Sequence, residues 1–220
     1  MGERVHVDIC GPNSEARISG SRYFALFKDE FSSYRDVYFA ATRDQMHNCI
    51  RRSVAAYKGK LKREMRALCS DRGSLFMSRR TQEFLFANAI HHSTSGPFTP
   101  AQNGLIQRHN RTVMECARTM LAARNLPHKL WGEAVLAAVY LLNRMISKRS
   151  GDKTPFELVF GRKPQIQHLR VFGATARMKE QEKKRSGYQK KLDDHSRKLV
   201  MVGYCEANHT YRLFDQSGSS

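Results

Sequence analysis

Two aspartates stand where a folded chain has reason to avoid them. Asp8 lies in the middle of VHVDIC (5–10), an alternating β-type run with apolar neighbours on both sides. A carboxylate there is costly unless something pairs with it or binds it. Asp71 closes the short buried-type run MRALCSD (65–71), and the Arg72-Gly73 turn after it leaves it at a sheet edge. If the two strands are neighbours, the carboxylates converge and repel, and a divalent cation is the usual remedy. The plainer reading of either residue is a turn cap or an arginine partner.

The elements that must position them can be read from pattern. VHVDIC, YFALF (23–27) and DVYFAAT (36–42) have short spacing and form an antiparallel three-strand meander. Residues 44–61 are a basic helix with Met46, Cys49, Ile50, Val54 and Tyr57 near helical spacing. The run at 65–71 is a fourth strand, SRRTQEFLFANA (78–89) a helix with a serine cap, and IHHSTSG (90–96) a fifth strand. Thr99-Pro100-Ala101-Gln102 is a capping box that opens a helix to about Arg124, with a break at Asn125-Leu126-Pro127. HKLWGEAVLAAVYLLNRM (128–145) is apolar on most faces and therefore a buried helix. Thr154 to Glu157 repeats the capping box for a short helix ending at Gly161. The polar run 177–198 is expected to be an exposed loop, and 198–205 with 211–215 a terminal hairpin. Three meandering strands followed by alternating elements give a mixed sheet with helices on its faces, with strands one and four as neighbours.

Charge points to the partner. Thirty-eight Lys and Arg against 20 Asp and Glu give +18, which favours a polyanion whose counterions are released on binding. Arg51, Arg52, Lys58, Lys60, Lys62 and Arg63 crowd the first helix, and Lys183, Lys184, Arg185, Lys190 and Lys191 the tail. Such clusters grip phosphates without reading bases, so weakly sequence-dependent binding to nucleic acid is expected. The bland alternative is a solvated charged face. Five scattered cysteines with no C-x-x-C pair predict reduced thiols in an intracellular protein. No apolar run is long enough to span a bilayer, so no membrane partner is expected.

In order along the chain, HVDICGP, SRYFALFKDEFS, LCSDRG, TPAQNG, NRT, LWGEAV, YLLNR, KTPFELVFGRKP, HLRVFG and VGYCEANHTYRLFD resemble the integrase region of copia-type LTR retrotransposon polyproteins. The resemblance covers residues 5 to 215. It implies the following fold class: an α/β, RNase H-like mixed five-stranded sheet with flanking helices, plus a C-terminal basic segment and small β unit. The implied divisions are a core at 1–145, a connecting helix and loop at 146–176, and a basic linker with the small β unit at 177–220. It implies metal-dependent joining of element DNA ends to target DNA with Mg²⁺ or Mn²⁺, in a homo-oligomer working in the nucleus. The family's site is two aspartates and a glutamate, with 35 residues between the last two. Asp8 and Asp71 fall on the first two positions, as metal ligands, and Gln107 falls on the third.

The family reads N-G-x-x-E-R where this chain reads Asn103-Gly104-Leu105-Ile106-Gln107-Arg108. An amide keeps a carbonyl oxygen but loses the formal charge, so catalysis is expected to be impaired. Glu115, two turns along the same helix and about 12 Å away, is too far to substitute and is expected to pair with Arg111. The family's Asn-Gly-Gly-Glu-Phe after the second aspartate is here Arg72-Gly73-Ser74-Leu75-Phe76, which puts a cation where it can neutralise Asp71. Arg111 and Arg118 share a helix face with Gln107 and flank the site. His91 and His92 point to opposite strand faces and make a poor chelating pair. The upstream zinc-binding module is not expected in these residues, which start just before the first strand. Two further readings stand beside a DNA-binding integrase core: a coopted non-catalytic protein that assembles with integrases or other partners, and a transferase that tolerates Gln107.

Overall fold

The structure is a computed structural model that describes residues 4–59, 61–94, 100–146, 151–179, 196–205 and 210–217, with only the helical backbone at 100–109. Lys60, Lys183, Lys184, Arg185, Lys190, Lys191 and the Thr99 cap lie outside the described residues.

Three consecutive strands, β1 (Arg4–Cys10), β2 (Tyr23–Asp29) and β3 (Arg35–Ala40), pair antiparallel as the meander requires. After helix α1 (Met46–Gly59) the chain returns as β4 (Ala67–Ser70), parallel to β1. Helices α2 (Ser74–Met77) and α3 (Arg79–Ala87) then lead to β5 (His91–Thr94), parallel to β4. The sheet order is β3-β2-β1-β4-β5, so β1 and β4 are neighbours. Ser78 caps α3 by accepting from the Thr81 N–H.

Alternation along these strands sends side chains into two cores. Val5, Val7, Ala25, Phe27, Tyr38 and Ala40 pack with Met46, Cys49, Ile50 and Tyr57 of α1 and with Leu85 of α3. Phe24, Leu26 and Val37 face the other way, into a core shared with α4 (Pro100–Ala122) and α5 (Trp131–Leu142). The sheet therefore separates α1 and α3 from α4 and α5.

Helix α4 stops at Ala122 in a Schellman motif: Asn125 is left-handed (φ 47°), its N–H meets Ala122 O, and Leu126 N–H meets Leu121 O. The buried helix expected at 128–145 is a 3-10 turn (His128–Leu130) followed by α5. It ends early because Asn143 serves the sheet instead. Its Oδ1 accepts from Arg35 N and its Nδ2 donates to Arg35 O, each at 2.8 Å, which satisfies the edge of β3. Helix α6 (Pro155–Phe160) follows its sequence signals closely, with Thr154 accepting from Glu157 N and Gly161 left-handed at φ 69°.

The terminal hairpin gains a third strand. β6 (Thr175–Lys179), β7 (Ser196–Tyr204) and β8 (Tyr211–Phe214) form an antiparallel sheet in that order. Residues 177–179 and 196–198, expected as exposed loop, are thus strand ends, and the division expected at 176/177 falls inside β6. Val200, Met201, Val202 and Tyr204 of β7 join the core of α4 and α5. Tyr140 of α5 stacks on Tyr204 with centroids 4.6 Å apart.

Candidate active site

The parallel pairing of β1 and β4 sets Arg4 against Ala67, Val5 against Leu68 and His6 against Cys69. Continuing that register by two residues brings Asp8 level with Asp71. Level residues on parallel strands point to one face, and Val5 with Leu68 occupies the α1 side. Asp8 and Asp71 therefore share the opposite face, the one covered by α4. Asp8 is half-buried; its Oδ1 accepts from Ile9 N at 2.9 Å and its Oδ2 from Asn110 Nδ2 at 2.6 Å. Burial is the main cause that raises the Asp8 carboxyl above the usual range; its two hydrogen bonds oppose this, and the charge of Asp71 adds to it. Asp71 stands one residue past the end of β4, exposed, with Oδ1 accepting from Gly73 N at 3.0 Å.

Helix α4 brings the third position to the same face. Its buried stripe is Asn110, Val113, Ala117 and Leu121, and Asn110 docks the helix onto β1 at Asp8. The backbone of residue 107 lies one turn before Asn110 and Arg111 on this helix; the Gln107 side chain is outside the described residues. Asn110 belongs to the Asn110-Arg111-Thr112 stretch, but its role was not legible in the sequence. Two expectations are corrected. Arg72 is exposed and forms no ion pair with Asp71, because the Asp71 carboxylate turns back to the Gly73 amide. Arg111 and Glu115 are both exposed and form no ion pair, as expected of long solvated side chains with little to gain from pairing.

Residues 1–100 match the family described as integrase core domain. The retrovirus-related Pol polyprotein from transposon TNT 1-94 of Nicotiana tabacum is 34% identical over 211 residues, covering 96% of this chain and 16% of that protein. The Ty1-DR4 Gag-Pol polyprotein of Saccharomyces cerevisiae is 29% identical over 148 residues, 66% of this chain and 9% of that protein. The chain belongs to the integrase core family of Ty1/copia-type transposon Pol polyproteins. It spans only a small part of those relatives' length. Among solved structures, the HTLV-2 integrase catalytic core domain in complex with magnesium (trimeric form) aligns with TM-score 0.53 at 21% identity, over 72% of this chain and 96% of that one. A chain of the simian T-cell lymphotropic virus intasome in complex with PP2A regulatory subunit B56 gamma aligns at TM-score 0.59 and 15% identity, over 97% of this chain and 76% of that one. These likenesses show the integrase core fold.

Within this integrase core the basic residues split between two layers. Arg111 and Arg118 are exposed on α4, on the carboxylate side. The Cys10 thiol is pushed up by burial and the charge of Asp8, with Arg118 opposing, so Arg118 acts on the β1 end that carries Asp8. Arg51, Arg52 and Lys58 are exposed on α1, on the other side of the sheet. Arg51 lies 5.6 Å over the Phe84 ring and Arg52 5.1 Å over the Tyr38 ring. Lys62 is exposed at a left-handed φ of 52°, and Arg63 is half-buried, its guanidinium donating to Val159 O at 3.2 Å.

The donor chemistry suits a hard cation. Among the described residues Asp71 keeps one carboxylate oxygen without a hydrogen bond, and each Asp8 oxygen retains a lone pair. Two carboxylates completed by water fit one Mg²⁺ or Mn²⁺. Among the described residues no group of three His, Cys, Asp or Glu converges on a metal position.

Proposed function

We propose that this integrase core binds duplex DNA with little dependence on sequence and that its strand-joining chemistry is impaired by Gln107. What supports this reading is the parallel register of β1 and β4, which, continued past the end of β4, carries Asp8 and Asp71 to the face of the sheet that α4 covers. Asp8 and Asp71 would hold a divalent cation, which would supply activation of the attacking oxygen and stabilisation of the leaving one. Asn110 and the Ile9 amide orient the Asp8 carboxylate. Arg111 and Arg118 hold phosphates at the site, while α1 offers a separate basic surface. The magnesium complex and trimeric form of the HTLV-2 core support both the metal and a homo-oligomer. Joining DNA ends to a chromosome sets the work in the nucleus.

Gln107 removes one negative charge from the third position. If this weakens transition-state stabilisation by roughly 3–5 kcal/mol, the rate falls by about 10²- to 10⁴-fold. The test is Gln107→Glu, assayed for Mn²⁺-dependent nicking or strand transfer of duplex DNA. The variant should gain activity that Asp8→Asn then abolishes. Equal activity in the native chain and the variant would show that the glutamine is tolerated. A folded variant that binds DNA yet does no metal-dependent chemistry would favour a non-catalytic assembly protein.

A further inference from the structure

Beneath the end of β4 lies a chain of hydrogen bonds that the metal-site reading does not use. Ser70, only 1% exposed, has its Oγ 2.8 Å from Asp71 O and 2.9 Å from His92 Nε2. On the far side of the ring, His92 Nδ1 is 2.7 Å from Gln82 Nε2, which is itself 2.6 Å from Phe76 O. Four elements meet here: the end of β4, α2, α3 and β5.

One proton arrangement satisfies every bond. Asp71 O and Phe76 O are carbonyls and only accept. Ser70 must therefore donate its single hydrogen to Asp71 O, and Gln82 must donate one amide hydrogen to Phe76 O. Having used its hydrogen, Ser70 accepts from His92, so Nε2 carries the ring proton. The second Gln82 hydrogen then needs a bare Nδ1. A cationic ring would set Nδ1–H against an N–H, and a reversed Gln82 amide would set oxygen against Phe76 O. Burial, helped by His91, also holds His92 below the ordinary histidine range.

We propose that His92 is a positioning residue for Asp71: neutral and protonated on Nε2, it ties Ser70 and the Asp71 main chain to α2 and α3 and so fixes the direction of the second carboxylate. Among the described residues the Gly73 amide alone hydrogen-bonds the Asp71 side chain, so its aim depends on the main chain that Ser70 holds. This rests on the reading that Asp8 and Asp71 bind a divalent cation. Outer contacts that orient metal ligands change affinity about 10- to 100-fold when removed.

The test uses the 220-residue chain and Mn²⁺ alone. Imidazole ¹⁵N spectra at neutral pH should show His92 with Nε2 protonated; an Nδ1-protonated or cationic ring overturns the relay directly. Calorimetric Mn²⁺ titration should show about tenfold weaker binding in His92→Phe and in Ser70→Ala, with no further loss in the double variant. His92→Gln, which keeps a donor toward Ser70, should bind nearly as the native chain does. If His92→Phe fails to fold, Ser70→Ala and His92→Gln carry the comparison. Asp8→Asn separates the two ideas: if it abolishes Mn²⁺ binding while the His92 and Ser70 variants bind normally, the relay is overturned and the metal-site reading stands. A native chain without Mn²⁺ binding overturns that reading and, with it, the role assigned to His92.

Discussion

Asn110 donates to Asp8 across 2.6 Å from a point 102 residues along the chain, and among the described residues its own Oδ1 is buried without a partner. The contact ties α4 to β1 at the first carboxylate and stabilises the ionised form of Asp8. Asn110→Ala should therefore raise the Asp8 pKa further, measured by carboxyl ¹³C titration. A hydrogen bond to a charged group contributes about 1.5–3 kcal/mol, and losing the unpaired Oδ1 returns part of that. A net destabilisation of about 1–2 kcal/mol at neutral pH is expected, fading where Asp8 is protonated. An unshifted Asp8 titration would show that the contact does not govern the carboxylate.

Asp8 itself is held at a cost. Its carboxyl is raised, mainly by burial, so the folded chain takes up its proton at a higher pH than the unfolded chain does. The sign follows from linkage: the destabilisation is fully present above the folded pKa and is relieved as pH falls through it toward 3.8. Asp8→Asn removes the charge, and its amide can be met by a turned-over Asn110. Without metal, the variant should melt at or above the native temperature at neutral pH, each kcal/mol gained raising Tm by about 2–4 °C. The gap should close on acidification. His6, His47 and His92, all lowered first by burial, act in the other direction. They cost nothing above 6.5 and destabilise the fold as pH falls below it, in native chain and variant alike. A large loss of stability in Asp8→Asn at neutral pH would mean that the charge is already compensated.

The parts that could be read from sequence were those fixed by local chemistry. Thr154, Pro155 and Gly161 bound α6 because cap, first turn and left-handed stop are each set by one residue. The order of elements, three meandering strands and then a helix and a fourth strand, was enough to expect β1 and β4 as neighbours, whereas the register that brings Asp8 level with Asp71 is set by backbone pairing. Asn110 and Asn143 were not legible, because the partners that give them meaning, Asp8 and the Arg35 backbone, are distant in sequence. β6 was hidden for a related reason: Thr175–Lys179 is mostly exposed, and only pairing with β7 makes it a strand. That the cations of α1 and those of α4 lie on opposite sides of the sheet was not legible, since charge carries no information about which side of a sheet a helix covers.

That separation of cations gives the last prediction, read from DNA binding as a function of salt. Each phosphate contact adds about 0.9 to the slope of log affinity against log salt. Arg111 and Arg118 lie exposed on the carboxylate side, so replacing either with alanine should weaken binding to all duplex sequences alike and lower the slope by about one. Arg51 and Lys58 lie across the sheet, and a duplex seated at Asp8 and Asp71 should lose little on their replacement. Arg63 gives a third outcome. Its guanidinium is committed to Val159 O at the end of α6, so Arg63→Ala should lower stability by about 1–3 kcal/mol while leaving the salt slope unchanged. If the α1 replacements reduce the slope and the α4 replacements do not, duplex DNA binds the α1 face, and the carboxylates do not mark where it lies.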